Sequence, residues 1–97
     1  MRPVRPGDLS AAARALLPLP PGMRAAAADR LLDAADAADR YRRRFGRAHH
    51  LWGNGTLRAA ALVGDVPCEP RLDDPDYIHC LTTVLARLQA RKATRSG

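Results

Sequence analysis

Between the breaker cluster Pro18-Leu19-Pro20-Pro21-Gly22 and Gly46, residues 23–45 contain neither proline nor glycine. Proline fixes φ, removes a backbone donor and drives the residue before it out of the α region, so the cluster ends one helix. The run that follows predicts a single long helix from Met23 to Phe45, closed by Gly46 in the left-handed conformation that stops helices. At 1.5 Å per residue it is a rod roughly 35 Å long. Its apolar stripe is Ala28, Leu31, Leu32, Ala35, Ala38 and Phe45. A narrow, alanine-rich stripe lets another helix come close but buries little area per turn, so this helix needs a neighbour from its own chain or from another copy. Leu31, Leu32, Ala35 and Ala38 are the residues expected to form contacts between copies.

Apolar residues elsewhere also recur at intervals of three and four, and no segment alternates as a strand would. A short first helix is expected over residues 8–17, capped by Asp8, with Leu9, Ala12, Ala13, Leu16 and Leu17 on one face. A third helix over residues 56–63 is expected to start from Asn54 and to turn Leu57, Ala60 and Ala61 inward. The fourth covers residues 75–92. Pro75 at its first turn and the acids of Asp73-Asp74-Pro75-Asp76 suit a helix start, with Asp73 as the cap and Leu72 stapled to Tyr77. Ile78, Leu81, Val84, Leu85 and Leu88 are its expected inner face, and residues 93–97 form a basic tail. The fold class is therefore all-α, a single domain over residues 1–97. It is a small bundle of about four helices with one long central helix and short Pro/Gly-rich connectors.

A chain of 97 residues has room for one modest core. Its 16 Lys+Arg exceed its 10 Asp+Glu by six charges. Residues 1–39 hold five arginines and five aspartates, so the whole excess lies in residues 40–97. It is densest in Arg40-Tyr41-Arg42-Arg43-Arg44-Phe45-Gly46-Arg47, where five of eight residues are arginine. Arg40, Arg42, Arg43, Arg44 and Arg47 would neutralise phosphates of double-stranded DNA with little base readout. Five such contacts imply a log–log salt slope of about −4 to −5. The same arginines also suit an acidic protein partner, or a solvated helix end paired to Asp36 and Asp39 at i,i+4. Trp52 reads as an anchor of the loop against the core, with base stacking as the alternative. A small DNA-binding regulator ranks lower, because the fourth helix opens with acids that phosphate repels.

Chemistry of other kinds finds little purchase. His49-His50 and His79-Cys80 are adjacent pairs that cannot present two ligands on one face, and Gly53-Asn54-Gly55-Thr56 lacks the lysine of a phosphate loop. No enzyme activity, cofactor or metal site is expected. Cys68 and Cys80 read as free thiols. The N-terminus has no apolar leader and no stretch could span a membrane, so a cytoplasmic protein is expected.

The run Arg30-Leu31-Leu32, the Asp-Ala-Ala-Asp repeat through Asp39, the segment Arg40-Tyr41-Arg42-Arg43-Arg44, Trp52-Gly53-Asn54-Gly55-Thr56-Leu57 and Asp73-Asp74-Pro75-Asp76-Tyr77 together carry a resemblance. Over residues 4–90 the chain resembles short proteins encoded in gene transfer agent clusters, phage-like particles that package host DNA, beside the large terminase. The resemblance implies a small terminase subunit: a homo-oligomer that binds DNA and delivers it to the large terminase subunit. The chain departs from phage small terminases in lacking a separate N-terminal helix-turn-helix domain, which implies weak sequence specificity. Arg87, Arg91 and Lys92 of the fourth helix are the residues expected to meet the large subunit.

Overall fold

The computed structural model describes residues 1–95, which form four α-helices. They are α1 (Pro6–Leu16), α2 (Arg24–Phe45), α3 (Leu57–Ala61) and α4 (Pro75–Arg95), with a 3-10 turn over Pro21–Met23 leading into α2. The all-α expectation holds, and no strand occurs among the described residues. At 22 residues α2 is the long helix expected, and α4 reaches 21. The expected basic tail is helical through Arg95, and its last two residues lie outside the described ones.

α1 begins two residues before its expected start, because Pro6 takes the first helical position, where its missing N–H costs nothing. Asp8 therefore sits one turn inside the helix instead of capping it. Its Oδ2 accepts the backbone N–H of Arg5 at 2.8 Å and its Oδ1 accepts the N–H of Arg58, in the first turn of α3, at 2.9 Å. One buried carboxylate thus satisfies orphan donors at the starts of two helices. Thr56, not Asn54, caps α3: its Oγ1 accepts from the Ala59 N–H at 3.1 Å, while Asn54 Oδ1 holds Thr56 itself.

The core gathers Leu16, Leu32, Leu57, Tyr77, Cys80 and Val84 around the alanines of α1, which lie against α3 and α4. α2 packs on α3 and α4. α4 is rotated from its expected orientation. Tyr77, Cys80 and Val84 are buried, whereas Ile78 and Leu85 are 44% and 49% exposed. Two polar demands set this rotation. The Tyr77 hydroxyl donates to Glu69 Oε2 at 2.8 Å and lies 3.2 Å from Ser10 Oγ. Arg87 and Arg91, on the same face at heptad spacing, reach the acids of α2: Arg87 to Asp29 at 3.0 Å, and Arg91 to Asp33 and, at 2.6 Å, to Asp36. The cap of α4 is Asp74, whose Oδ1 accepts the Tyr77 N–H at 3.0 Å. Asp73 instead pairs with Arg71 on the surface, and Leu72, 70% exposed, makes no staple.

Arg24, the first residue of α2, is buried and holds the start of the helix in place. Its guanidinium donates to the carbonyls of Leu16, Leu17 and Leu19, to Asp76 at 2.7 Å and to His79 Nδ1 at 3.0 Å. The three carbonyls belong to the end of α1 and the proline connector, where the helix runs out of internal donors and only that of Leu16 finds a backbone N–H, from Leu19 at 3.0 Å. A single side chain thereby joins α1, α2 and α4. The hydrogen bond from Arg24 also holds the Asp76 carboxyl below its ordinary range.

Candidate nucleic-acid interface

The arginine-rich segment forms the last turns of α2, and Gly46, at φ 70°, stops the helix there. The fold divides its five arginines into two groups. Arg40, Arg44 and Arg47 are exposed and form no ion pair with any described residue. Arg42 and Arg43 converge on Asp39, Arg42 at 3.0 Å to one carboxylate oxygen and Arg43 through two donors to the other. The α-amino group of Met1 also reaches Asp39, at 3.2 Å, and Asp36 at 2.7 Å. Asp39 is 1% exposed. Hydrogen bonding from Arg43 above all outweighs the burial that opposes ionisation, so its carboxyl stays well below the usual carboxylate range. The expected Asp39–Arg43 pair forms. The expected Asp36–Arg40 pair does not, because Asp36 faces Arg91 and Met1, and Arg40 is left open.

Backbone packing puts further arginines along this flank. The Arg2 N–H donates to the carbonyl of Gly55 at 2.9 Å, and Gly55 lies directly on Asp39. A Cβ at Gly55 would sit 2.7 Å from the Asp39 Cα, and its φ of 93° suits glycine, so the close approach requires this residue. Asp8 places Arg5 beside Arg58. Arg2, Arg5 and Arg58 likewise form no ion pair with a described residue. Charge counting along the chain made the first 39 residues neutral. In the folded chain Asp29, Asp33 and Asp36 face α4, and Arg2 and Arg5 are left without an ion pair. No local spacing signals this, since the pairing joins residues more than 50 positions apart.

The remaining site residues need correction. Leu32, Ala35 and Ala38 are fully buried within the chain itself, because α3 and α4 supply the neighbour that the narrow stripe of α2 needs. They are not available to another copy. Leu31 is half-buried and lines a groove of about 680 Å³ between α2 and α3, with Arg40 and Trp52 on its rim. Arg87 and Arg91 are held by the acids of α2 and do not present free charge to a partner, while Lys92 lies on the exposed side of α4. Trp52 is not a simple core anchor. It stacks on His49 at 4.7 Å and 9°, within a ring cluster resting on Tyr41 and Phe45. Among the described residues no three His, Cys, Asp or Glu side chains converge as a metal site would require, and Cys68 and Cys80 are both free thiols.

Beside the Asp39 pairs, Arg40, Arg44 and Arg47 therefore offer positive charge that no described acid pairs with, in a form suited to phosphate or carboxylate oxygens. No helix among the described residues is long and apolar enough to cross a membrane. No curated protein and no solved structure shows significant similarity to the chain. Residues 2–88 match the profile of a family described as a domain of unknown function, DUF7742, and the chain belongs to that family.

Proposed function

We propose that the chain is a non-enzymatic, cytoplasmic DNA-binding protein that acts as a small terminase-like packaging adaptor. It holds duplex DNA through its backbone and delivers it to a large terminase subunit. The observation that carries this reading is the set of exposed, unpaired Arg40, Arg44 and Arg47 at the end of α2. Arg43 can still offer its outer edge, since its side chain is 65% exposed despite the pair with Asp39. Guanidinium groups at a helix end meet phosphates without reading bases, which suits packaging of unspecified sequence. Association of copies is supported by a different surface from the one the sequence suggested. Ile78 and Leu85, two turns apart on the outer side of α4, leave apolar area uncovered.

The test is an anisotropy titration of a labelled 20-base-pair duplex, run beside polyglutamate of matched charge. The duplex is expected to bind more tightly than polyglutamate, and Arg40/Arg44/Arg47→Ala to weaken it at least tenfold. Preference for polyglutamate would assign the arginines to an acidic protein partner instead.

A further inference from the structure

The loop after α2 carries a stack of rings that phosphate binding does not require. His50 lies on His49 at 4.6 Å and 19°, and His49 lies on Trp52 at 4.7 Å and 9°, both within the range of offset aromatic stacking. The backbone fixes the middle ring. His49 exchanges two hydrogen bonds with Gly53, at 2.8 and 3.0 Å, which close the loop. Its Nδ1 accepts the N–H groups of Leu51 and Trp52 at 3.0 and 3.2 Å, which orients the ring. Tyr41 meets His49 edge-on at 4.9 Å and lies 4.6 Å from Phe45.

A loop built only to cover the core would turn its rings inward, and this one does not. His50 is exposed, with one face taken by His49, and Phe45 is 54% exposed. The Arg44 guanidinium lies over the Phe45 ring, 5.4 Å from its centre, in a cation–π contact that a base stacking on that face replaces. Arg47, one residue past the helix stop, bears its charge at the entry to the same loop. Aromatic rings and guanidinium groups that form no ion pair thus come together at the end of α2 and the start of the loop. Duplex DNA presents phosphates but keeps its base faces inside the stack, so it uses only half of this surface. Unpaired nucleotides use both halves, base on ring and phosphate on guanidinium.

We propose that His50 and Phe45 are stacking platforms for unpaired bases, and that with Arg44 and Arg47 they form a binding site for single-stranded nucleic acid. This inference rests on the reading of the arginine cluster as a phosphate-binding surface and adds unpaired strands to the duplex as its ligands. The test compares (dT)12 with an abasic 12-mer that has the same phosphates and no bases, at low salt. Affinity is followed by anisotropy and the loop by the emission of Trp52, the only tryptophan. The (dT)12 strand is expected to bind about tenfold more tightly than the abasic strand and to change Trp52 emission. His50→Ala with Phe45→Ala is expected to bring (dT)12 down to the abasic affinity and to leave the abasic affinity unchanged, which a misfolded variant would not do. Equal affinity for the two strands would overturn the stacking site and leave the phosphate reading intact. Binding of neither strand would overturn both.

Discussion

Replacing Asp39 with asparagine is expected to lower stability and raise DNA affinity together. The carboxylate is 1% exposed and faces Arg42, Arg43 and the Met1 amino group. A hydrogen bond to a charged group contributes about 1.5–3 kcal/mol. Arg43 is largely exposed and can turn to water, so its share falls to about 1 kcal/mol or less. Arg42 is less able to leave, since its Nε is already buried without a partner, and Met1 retains Asp36. The net loss is therefore about 2–3 kcal/mol, or a fall in Tm of about 10–20 °C for a domain of this size. Thermal and urea unfolding followed by circular dichroism measure it. The carboxyl's pKa is depressed in the folded state, so the unfolded chain binds more protons in acid and stability rises with pH. The contribution of Asp39 is complete above its ordinary value of 3.8 and is lost as pH falls further. The gap between wild type and Asp39→Asn should accordingly close in acid. With Arg43 released, duplex affinity should rise severalfold and its log–log salt slope steepen by about 0.9. A stability gap that stays constant from neutral pH to pH 2, or a folded variant that binds DNA more weakly, refutes the reasoning.

Three further substitutions probe the fold around the site. Arg24→Met leaves the carbonyls of Leu17 and Leu19 without their donor, while that of Leu16 keeps the Leu19 N–H, and is expected to cost about 3 kcal/mol in urea unfolding, given a penalty of roughly 1–3 kcal/mol per orphaned buried group. Leu32→Ala should destabilise each chain by about 2–5 kcal/mol without changing the solution mass of the folded protein, because Leu32 belongs to the chain's own core. A drop in mass would return Leu32 to an interface between copies. Ile78→Glu with Leu85→Glu should have the opposite profile in sedimentation: reduced self-association with unfolding midpoints shifted by less than about 1 kcal/mol, as both side chains are half-exposed.

What the sequence made legible was local. The long helix and its stop at Gly46 follow from the spacing of breakers, and α2 begins and ends within one residue of expectation. Leu57, Ala60 and Ala61 turn inward as their spacing implied. Helix starts were less legible, because several side chains near each start could cap it and only the tertiary partner selects one. Asp8, placed inside α1 by the earlier start at Pro6, also accepts from Arg58, fifty residues away, and Asp74 displaces Asp73. The rotation of α4 was hidden for a related reason. Its apolar residues occupy more than one face, and the pairing of Arg87 and Arg91 with α2 decides which face is buried. The site divides in the same way. The arginine run is visible in the sequence, while the grouping into paired Arg42 and Arg43 and unpaired Arg40, Arg44 and Arg47 depends on where the acids of α2 point.

The central claim is that these three arginines hold phosphates, and the salt dependence of duplex binding tests it most directly. Each neutralised phosphate contributes about −0.9 to the slope of log affinity against log salt. Arg40/Arg44/Arg47→Ala should therefore flatten the wild-type slope by about 2.7, with helicity and Tm retained because the three side chains are exposed and form no ion pairs. A slope equal to that of the wild type would contradict the account and place the contact with DNA elsewhere on the molecule.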